Sequence, residues 1–308
     1  MTDDDWRDRY ILSAGLTNPG ERAAFYRAAA RGVFVRVHPG VYLRNDDWAV
    51  LDFDGRHLAR MQAIHLVRPE TTFSHLSAAL VWGLPVVGGG LAVPHSVTSA
   101  SGGGRSMNGL HRHTSSRRFG VTTRGGLVVT DLADTVAHVA AGFLPEVSVP
   151  VVDAALRLPG RPISREALMD LTIANPLTSG GVRCAWAIGF ADELSGSPGE
   201  SMSRVLFHRL RLPRPVLQQR FDDAAGLIGY TDFWWPDRRV IGEFDGVGKY
   251  LREDLTDGRP IAEIVFDEKR RENRLRALDT RVARWDWSTA RDRTALRRVL
   301  SEAGLRAP

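Results

Sequence analysis

The stretch Tyr230-Thr-Asp232-Phe-Trp-Trp-Pro-Asp-Arg-Arg-Val-Ile-Gly-Glu243-Phe-Asp245-Gly246 holds the residue types best suited to chemistry. Glu243 and Asp245 are two apart in a β-rich run, so both project to one face of a strand. A hairpin centred on Pro236-Asp237 sets Asp232 opposite about Ile241, diagonal to Glu243 and on that same face. Three carboxylates converging at a sheet edge repel one another unless a cation neutralises them. Their hard oxygens suit Mg²⁺ or Mn²⁺. Such an ion polarises a phosphodiester and lowers the pKa of a bound water. Glu200, on the helix before these strands, is a fourth candidate carboxylate. Read blandly, the same acids are surface charge on a hairpin.

The neighbouring residues fit phosphate chemistry. Lys249 follows in Gly246-Val-Gly-Lys249-Tyr250. The run Asp267-Glu-Lys-Arg-Arg-Glu-Asn-Arg-Leu-Arg276 offers Lys269, Arg270, Arg271, Arg274 and Arg276. One face of that helix can meet a DNA backbone while Leu275 and Leu278 pack inward. Its bland reading is a solvated charged face. Trp234, Trp235, Trp285 and Trp287 read as strand-packing residues, with base stacking as the alternative.

The elements that must position these residues follow from caps and periodicity. Ser197-Pro198-Gly199-Glu200 predicts a helix to about Leu210, with Pro in its first turn. Strands are expected at Arg214 to Phe221, Leu227 to Trp235 and Arg238 to Asp245. A basic helix follows from Pro260 to Leu278, then a strand from Arg281 to Trp287 and a helix from Asp292 to Ala303. This is a three-strand meander set among helices.

The earlier part of the chain has another rhythm. Asp3-Asp-Asp5 offers caps for an opening helix with Trp6, Tyr10 and Leu12 facing inward. An Ala-rich helix spans Glu21 to Ala30 and Gly32 ends it. Val33 to Val37 and Val41 to Leu43 form a hairpin around His38-Pro39-Gly40. Helix, helix, hairpin is the outline of a winged helix-turn-helix. Helices are predicted at Asp54 to Val67, from Ser74 to Gly83, from Thr130-Asp131 to about Ala141, at Val151 to Leu158 and at Ser164 to Ile173. Short strands and Gly-rich loops fill Pro85 to Val129. Asn175 to Gly181 is the best linker. The expected organisation is a winged-helix domain at 1–50, an α/β middle domain at 51–175 and a second α/β domain at 176–308.

Composition sets bounds. The chain has 308 residues, 43% hydrophobic and 25% charged, ample for one or two cores. A net charge of +5 permits nucleic acid as a partner without showing it. The single cysteine, Cys184, excludes an internal disulfide and a Cys-based metal site, and reads as a buried apolar residue. The acidic start is unlike a secretory signal, and no apolar run reaches a membrane-spanning length. A cytoplasmic location is the expectation. His111-x-His113 reads as incidental, and Gly102-Gly-Gly-Arg-Ser106 lacks the Gly-Lys-Ser/Thr ending of a P-loop.

Two resemblances sharpen this reading. The order helix Glu200, strand Asp232, Glu243-Phe-Asp245-Gly246, Lys249-Tyr250, then Glu-Lys-Arg-Arg-Glu resembles the PD-(D/E)XK nuclease superfamily over Ser197 to Ser288. The nearest group is that of the very-short-patch mismatch repair endonuclease. The resemblance implies a restriction-endonuclease-like mixed sheet flanked by helices and hydrolysis of DNA with Mg²⁺ or Mn²⁺. By position, Asp232 and Glu243 would be metal ligands and Glu200 the helix acid. The usual Lys two residues after the second acid is Asp245 here, which leaves Lys249 or Lys269 to stabilise charge. Residues 5 to 155 are similar to AbiEi-type antitoxins of type IV toxin–antitoxin systems. They carry Arg31-Gly-Val-Phe-Val-Arg-Val-His-Pro-Gly-Val-Tyr-Leu43, Ser74-His-Leu-Ser-Ala-Ala79 and Trp82-Gly-Leu-Pro85. That implies operator binding through Arg22, Arg27 and Arg31 of the Ala-rich helix. A nucleotidyltransferase-like toxin and a second copy of the chain are its further implied partners. On that alternative the nuclease-like domain is a passive scaffold.

Overall fold

Short polar caps and first-turn prolines set where the helices begin. A computed structural model of the chain describes residues 6–88, 91–99, 109–177, 179–246 and 261–306. The chain has mixed α and β content distributed over several small sheets, and it divides into two compact units between Ala191 and Asp192.

The first unit holds β1 (Ile11–Leu12), α1 (Pro19–Ala30), β2 (Phe34–His38), β3 (Val41–Arg44), α2 (Asn45–Ala49), α3 (Phe53–Val67), α4 (His75–Val81), β4 (His95–Ser99), β5 (His111–Ser115), β6 (Val121–Arg124), β7 (Leu127–Thr130), α5 (Leu132–Gly142), α6 (Pro145–Leu156), α7 (Arg165–Ala174) and α8 (Gly181–Phe190). Asn18 caps α1 by accepting from the Gly20 N–H at 2.8 Å. Asp131 caps α5 in the same way, accepting from the Asp134 N–H at 2.8 Å. β1, β3 and β2 form a three-stranded sheet in that order. Its core joins Trp6, Tyr10, Val41 and Leu43 to Met61 and Ile64 of α3 and to Phe73, Leu127 and Val129.

The opening helix expected around Trp6 to Leu12 is not formed. Arg7–Arg9 is one 3-10 turn, and Ile11 and Leu12 pair with Tyr42 and Val41 of β3. Trp6 and Tyr10 are nonetheless buried, as expected. The pairing of Ile11 and Leu12 with β3, instead of helix periodicity, holds this segment beside the core. The caps proposed at Asp3 to Asp5 lie outside the described residues. The linker expected at Asn175 to Gly181 ends where α8 begins; α8 packs against α5, α6 and α7, which carries the first unit on to Ala191, past the boundary expected at 175. Cys184 sits on α8, fully buried, its Sγ 3.6 Å from the Ala137 carbonyl of α5.

The second unit holds α9 (Pro198–Arg209), β8 (Val216–Asp223), β9 (Gly226–Trp235), β10 (Val240–Phe244), α10 (Ile261–Ala277), β11 (Arg281–Trp285), α11 (Trp287–Arg291) and α12 (Arg293–Glu302). The sheet order is β11-β10-β9-β8; β10 and β11 run parallel and the other pairs antiparallel. It is therefore a mixed sheet between helices. One face buries Phe233, Trp235, Phe244 and Trp285 against Phe207 of α9 and Leu296 and Leu300 of α12. The other buries Ile228 and Ile241 against Leu275 of α10, with Trp234 and Phe221 packed beside them. The four tryptophans are packing residues: the Trp235 indole donates to the Pro213 carbonyl at 2.8 Å and the Trp285 indole to Ser203 Oγ at 2.9 Å. Trp287 meets Phe244 edge to face.

Candidate functional site

Strand pairing decides which acids meet. Val240, Ile241 and Gly242 of β10 pair with Trp235, Trp234 and Phe233 of β9. Asp232 is thus next in register to Glu243, two residues away from the expected alignment with Ile241. A shift of two preserves face parity, so Asp232, Glu243 and Ile241 still share the α10 side of the sheet. On the other flank Glu243 pairs with Arg284 of β11. One Asp232 oxygen accepts from the Phe244 N–H at 2.8 Å, which ties this carboxylate to β10.

Charge around Glu243 is balanced by arginine. Arg271 of α10 donates to its two oxygens at 2.8 and 3.1 Å, a bidentate pair at a buried carboxylate. The same guanidinium donates to Glu268 at 3.1 Å and to the Tyr230 carbonyl at 2.7 Å. Arg284 lies 3.5 Å from Glu243 and 3.9 Å from Asp245, and it also bonds Glu268. Burial works to lower the Arg271 pKa, but Glu243 and Glu268 outweigh it and raise it, so the cation is held firmly charged. Burial alone would raise the Glu268 carboxyl; Arg284 and Arg271 reverse that and lower it.

Glu200 sits in the first turn of α9. Ser197 Oγ accepts from the Glu200 N–H at 3.2 Å, and Glu200 Oε2 accepts from the Gly196 N–H at 2.7 Å. This is the reciprocal logic of a capping box, shifted by one residue. The same oxygen accepts from Gln218 of β8 at 3.2 Å. A Cβ on Gly199 would lie 2.0 Å from the Phe244 ring, so α9 starts hard against the end of β10.

The remaining predicted residues divide. Arg271 and Arg274, read as DNA contacts, hold groups of their own unit instead: Arg274 donates to both Asp223 oxygens at 2.7 and 2.6 Å and to two carbonyls. Lys269 and Arg270 are exposed on α10, Arg270 within 3.5 Å of Asp267. Arg22, Arg27 and Arg31 are exposed on or beside α1. Lys249, Tyr250 and the Gly102 to Ser106 loop lie outside the described residues.

The sequence reading passed over one cluster. In the parallel pair β4·β5, His95 stands opposite His111, and His113 is two residues on, so the three share a face. His95 Nδ1 and His113 Nε2 are 2.8 Å apart. His75, at φ +53° at the start of α4, stacks on His113 at 3.7 Å between ring centroids and on His138 of α5 at 5.0 Å. Burial first, then the neighbouring imidazoles, depresses His75 well below the usual histidine value and brings His113 to about 3. Burial, reinforced by Arg117, brings His138 to about 4. The visible signal was only His111-x-His113; His75, His95 and His138 arrive from other elements.

No family model matches the chain. It is similar to two curated proteins of Mycobacterium tuberculosis, the uncharacterized protein MT2308 of strain CDC 1551 / Oshkosh and the uncharacterized protein Rv2248 of strain ATCC 25618 / H37Rv. Each is 30% identical over 172 residues, which covers 52% of this chain and 62% of the relative. The match thus spans less than two thirds of either relative, and neither name states an activity. No helix among the described residues is long and apolar enough to cross a membrane.

Proposed function

We propose that the second unit is a metal-dependent DNA endonuclease of the PD-(D/E)XK kind, carried by a cytoplasmic DNA-binding protein. The observation that supports it best is the register of Asp232 beside Glu243 on one face of β9 and β10, with Asp245 at the strand end. The donor set is all carboxylate oxygen, which fits Mg²⁺ or Mn²⁺ and suits neither a thiolate- nor an imidazole-seeking ion. Asp232 and Glu243 would hold the ion, which supplies Lewis acidity toward a phosphate oxygen and a water of lowered pKa. Arg271 orients Glu243 through two hydrogen bonds, one of which would give way to a bound cation. The Phe244 N–H fixes Asp232. Exposed Lys269 and Arg270 supply positive charge to the DNA backbone. Glu200 acts through the helix cap, tying the start of α9 to Gln218 of β8.

A second reading is favoured by one observation: both oxygens of Glu243 already face a guanidinium. On it the unit is a passive scaffold in an AbiEi-like regulator. DNA binding then falls to Arg22, Arg27 and Arg31, and the partner is a nucleotidyltransferase-like toxin. Cleavage of plasmid and mismatched duplex with Mg²⁺ or Mn²⁺ separates the two. The nuclease reading expects nicking that Asp232→Ala and Glu243→Ala both abolish. Absence of cleavage, together with no calorimetric binding of Mn²⁺ by the wild type, transfers the conclusion to the regulator.

A further inference from the structure

Five of the chain's nine histidines, drawn from four separate elements, meet in the first unit. Their rings form a near-parallel series: His138 to His75 at 13°, His75 to His113 at 20°, His113 to His111 at 2°. Such a gathering is not needed to fill a core, since imidazoles carry polar nitrogens that burial leaves in need of partners. Two of those needs are unmet. His138 is 4% exposed and neither of its ring nitrogens has a hydrogen-bond partner. It opens, with His75 and His113, onto a cleft of about 280 Å³.

We propose that His95, His111 and His113 form a binding site for a borderline divalent transition-metal ion, of the Zn²⁺, Ni²⁺ or Co²⁺ class. One ligand nitrogen from each residue lies within 4.8 Å of the others. A tetrahedral ion with Zn–N bonds of about 2.0–2.1 Å needs neighbouring nitrogens about 3.3 Å apart. His95 and His113, at 2.8 Å, need to part slightly, and the exposed His111 ring, now parallel to His113 at 4.4 Å, needs to turn toward the ion. One of these two nitrogens carries the proton of their hydrogen bond, and metal binding would require that ring to change tautomer, moving the proton to its other nitrogen. His111 is exposed and gives the ion an entry path. Three imidazoles would leave the fourth position of a tetrahedral ion to water or an added ligand. An all-imidazole set selects against Mg²⁺ and so differs in kind from the carboxylates of the second unit.

Two further arrangements support the site. His75 Nδ1 is bonded to Ser74 Oγ at 2.8 Å, which fixes the ring that stacks on His113. His75 takes a left-handed backbone, uncommon for a residue other than glycine, and this conformation turns α4's first residue into the cluster.

The test uses the full chain, stripped with a chelator and titrated with Zn²⁺ and Co²⁺. Calorimetry is expected to show one ion per chain, and the X-ray absorption of the Zn²⁺ form a nitrogen shell at about 2.0–2.1 Å. His111→Ala changes an exposed residue and leaves the fold intact by circular dichroism. Losing a direct ligand is expected to weaken binding by at least the roughly 10- to 100-fold typical of outer partners. His113→Ala, checked in the same way for folding, gives the same loss. An oxygen-only shell, or equal affinity in wild type and His111→Ala, overturns the proposal. Neither result bears on cleavage by the second unit.

Discussion

Arg271 tests how the acidic cluster is held. Replacing it with Met keeps most of the packing and removes the guanidinium. Glu243, a buried carboxylate, then loses bonds of 2.8 and 3.1 Å; Tyr230 loses a donor at 2.7 Å. Breaking a buried ion pair by removing one partner costs about 3–5 kcal/mol. Arg284 remains 3.5 Å away and the Arg271 side chain is 21% exposed, so we expect about 2–3 kcal/mol here. Urea unfolding of the second unit measures it as a lower midpoint at unchanged slope. Adding Glu243→Gln to Arg271→Met removes the stranded charge and should recover most of the loss, which a double-mutant cycle reads directly. If the cluster binds a cation, Mn²⁺ takes the place of the guanidinium. At a hundred times its dissociation constant an ion restores about 2.7 kcal/mol. A loss below about 0.5 kcal/mol, the ordinary range of a surface substitution, would refute the reasoning. So would a double variant no more stable than Arg271→Met.

Two more expectations follow from geometry. A Cβ at Gly242 would lie 2.6 Å from the Trp285 ring and 3.0 Å from the Trp235 ring, both buried. Gly242→Ala should therefore cost at least about 1–3 kcal/mol by overpacking, whereas Gly246→Ala, which meets open space, should change little; equal unfolding midpoints would contradict this. His57 bonds the Leu91 carbonyl and Ser77 Oγ, each at 2.8 Å, and burial pushes its pKa down to about 4, with Arg60 adding to the shift. The folded state then binds fewer protons than the unfolded one between about pH 6.5 and 4, so its stabilising contribution is whole above 6.5 and falls with pH through that window. At pH 5 the fall amounts to about 2 kcal/mol, at 1.36 per unit. The stability change of the first unit from pH 7 to 5 should be smaller by that amount in His57→Gln, and identical changes would sink the argument.

The β-elements of the second unit were legible because β-branched and aromatic residues gather in short runs separated by turn residues, as at Pro236-Asp237. α9 and α5 were legible from Ser197 and Asp131, whose caps lie next to the first apolar residue. The hairpin register was read two residues off. The turn at Pro236–Arg238 is a 3-10 segment followed by Arg239 at φ +49°, and turn conformation, not hydrophobic pattern, sets the alignment. α8 was hidden behind Asn175-Pro176, whose composition says loop while Gly180 starts a helix. At the candidate site, residue types in one stretch exposed Asp232, Glu243 and Asp245. That Arg271 would answer Glu243 depends on where α10 crosses the sheet, which a local spacing cannot express. The histidines show the same limit more severely: their mutual approach is a property of β4, β5, α4 and α5 packed together.

Cys184 gives the first unit a clock. As the sole thiol of the chain it lies at zero exposure between α8 and α5, and burial pushes its pKa up to about 11, with Arg117 opposing. A thiol reagent can reach it only when these helices part. The modification rate under native conditions therefore reports how often the α5–α8 packing opens. Nothing in the second unit competes for the reagent. The rate at which one half of the chain breathes can be followed while the other half is occupied by metal, by DNA or by neither.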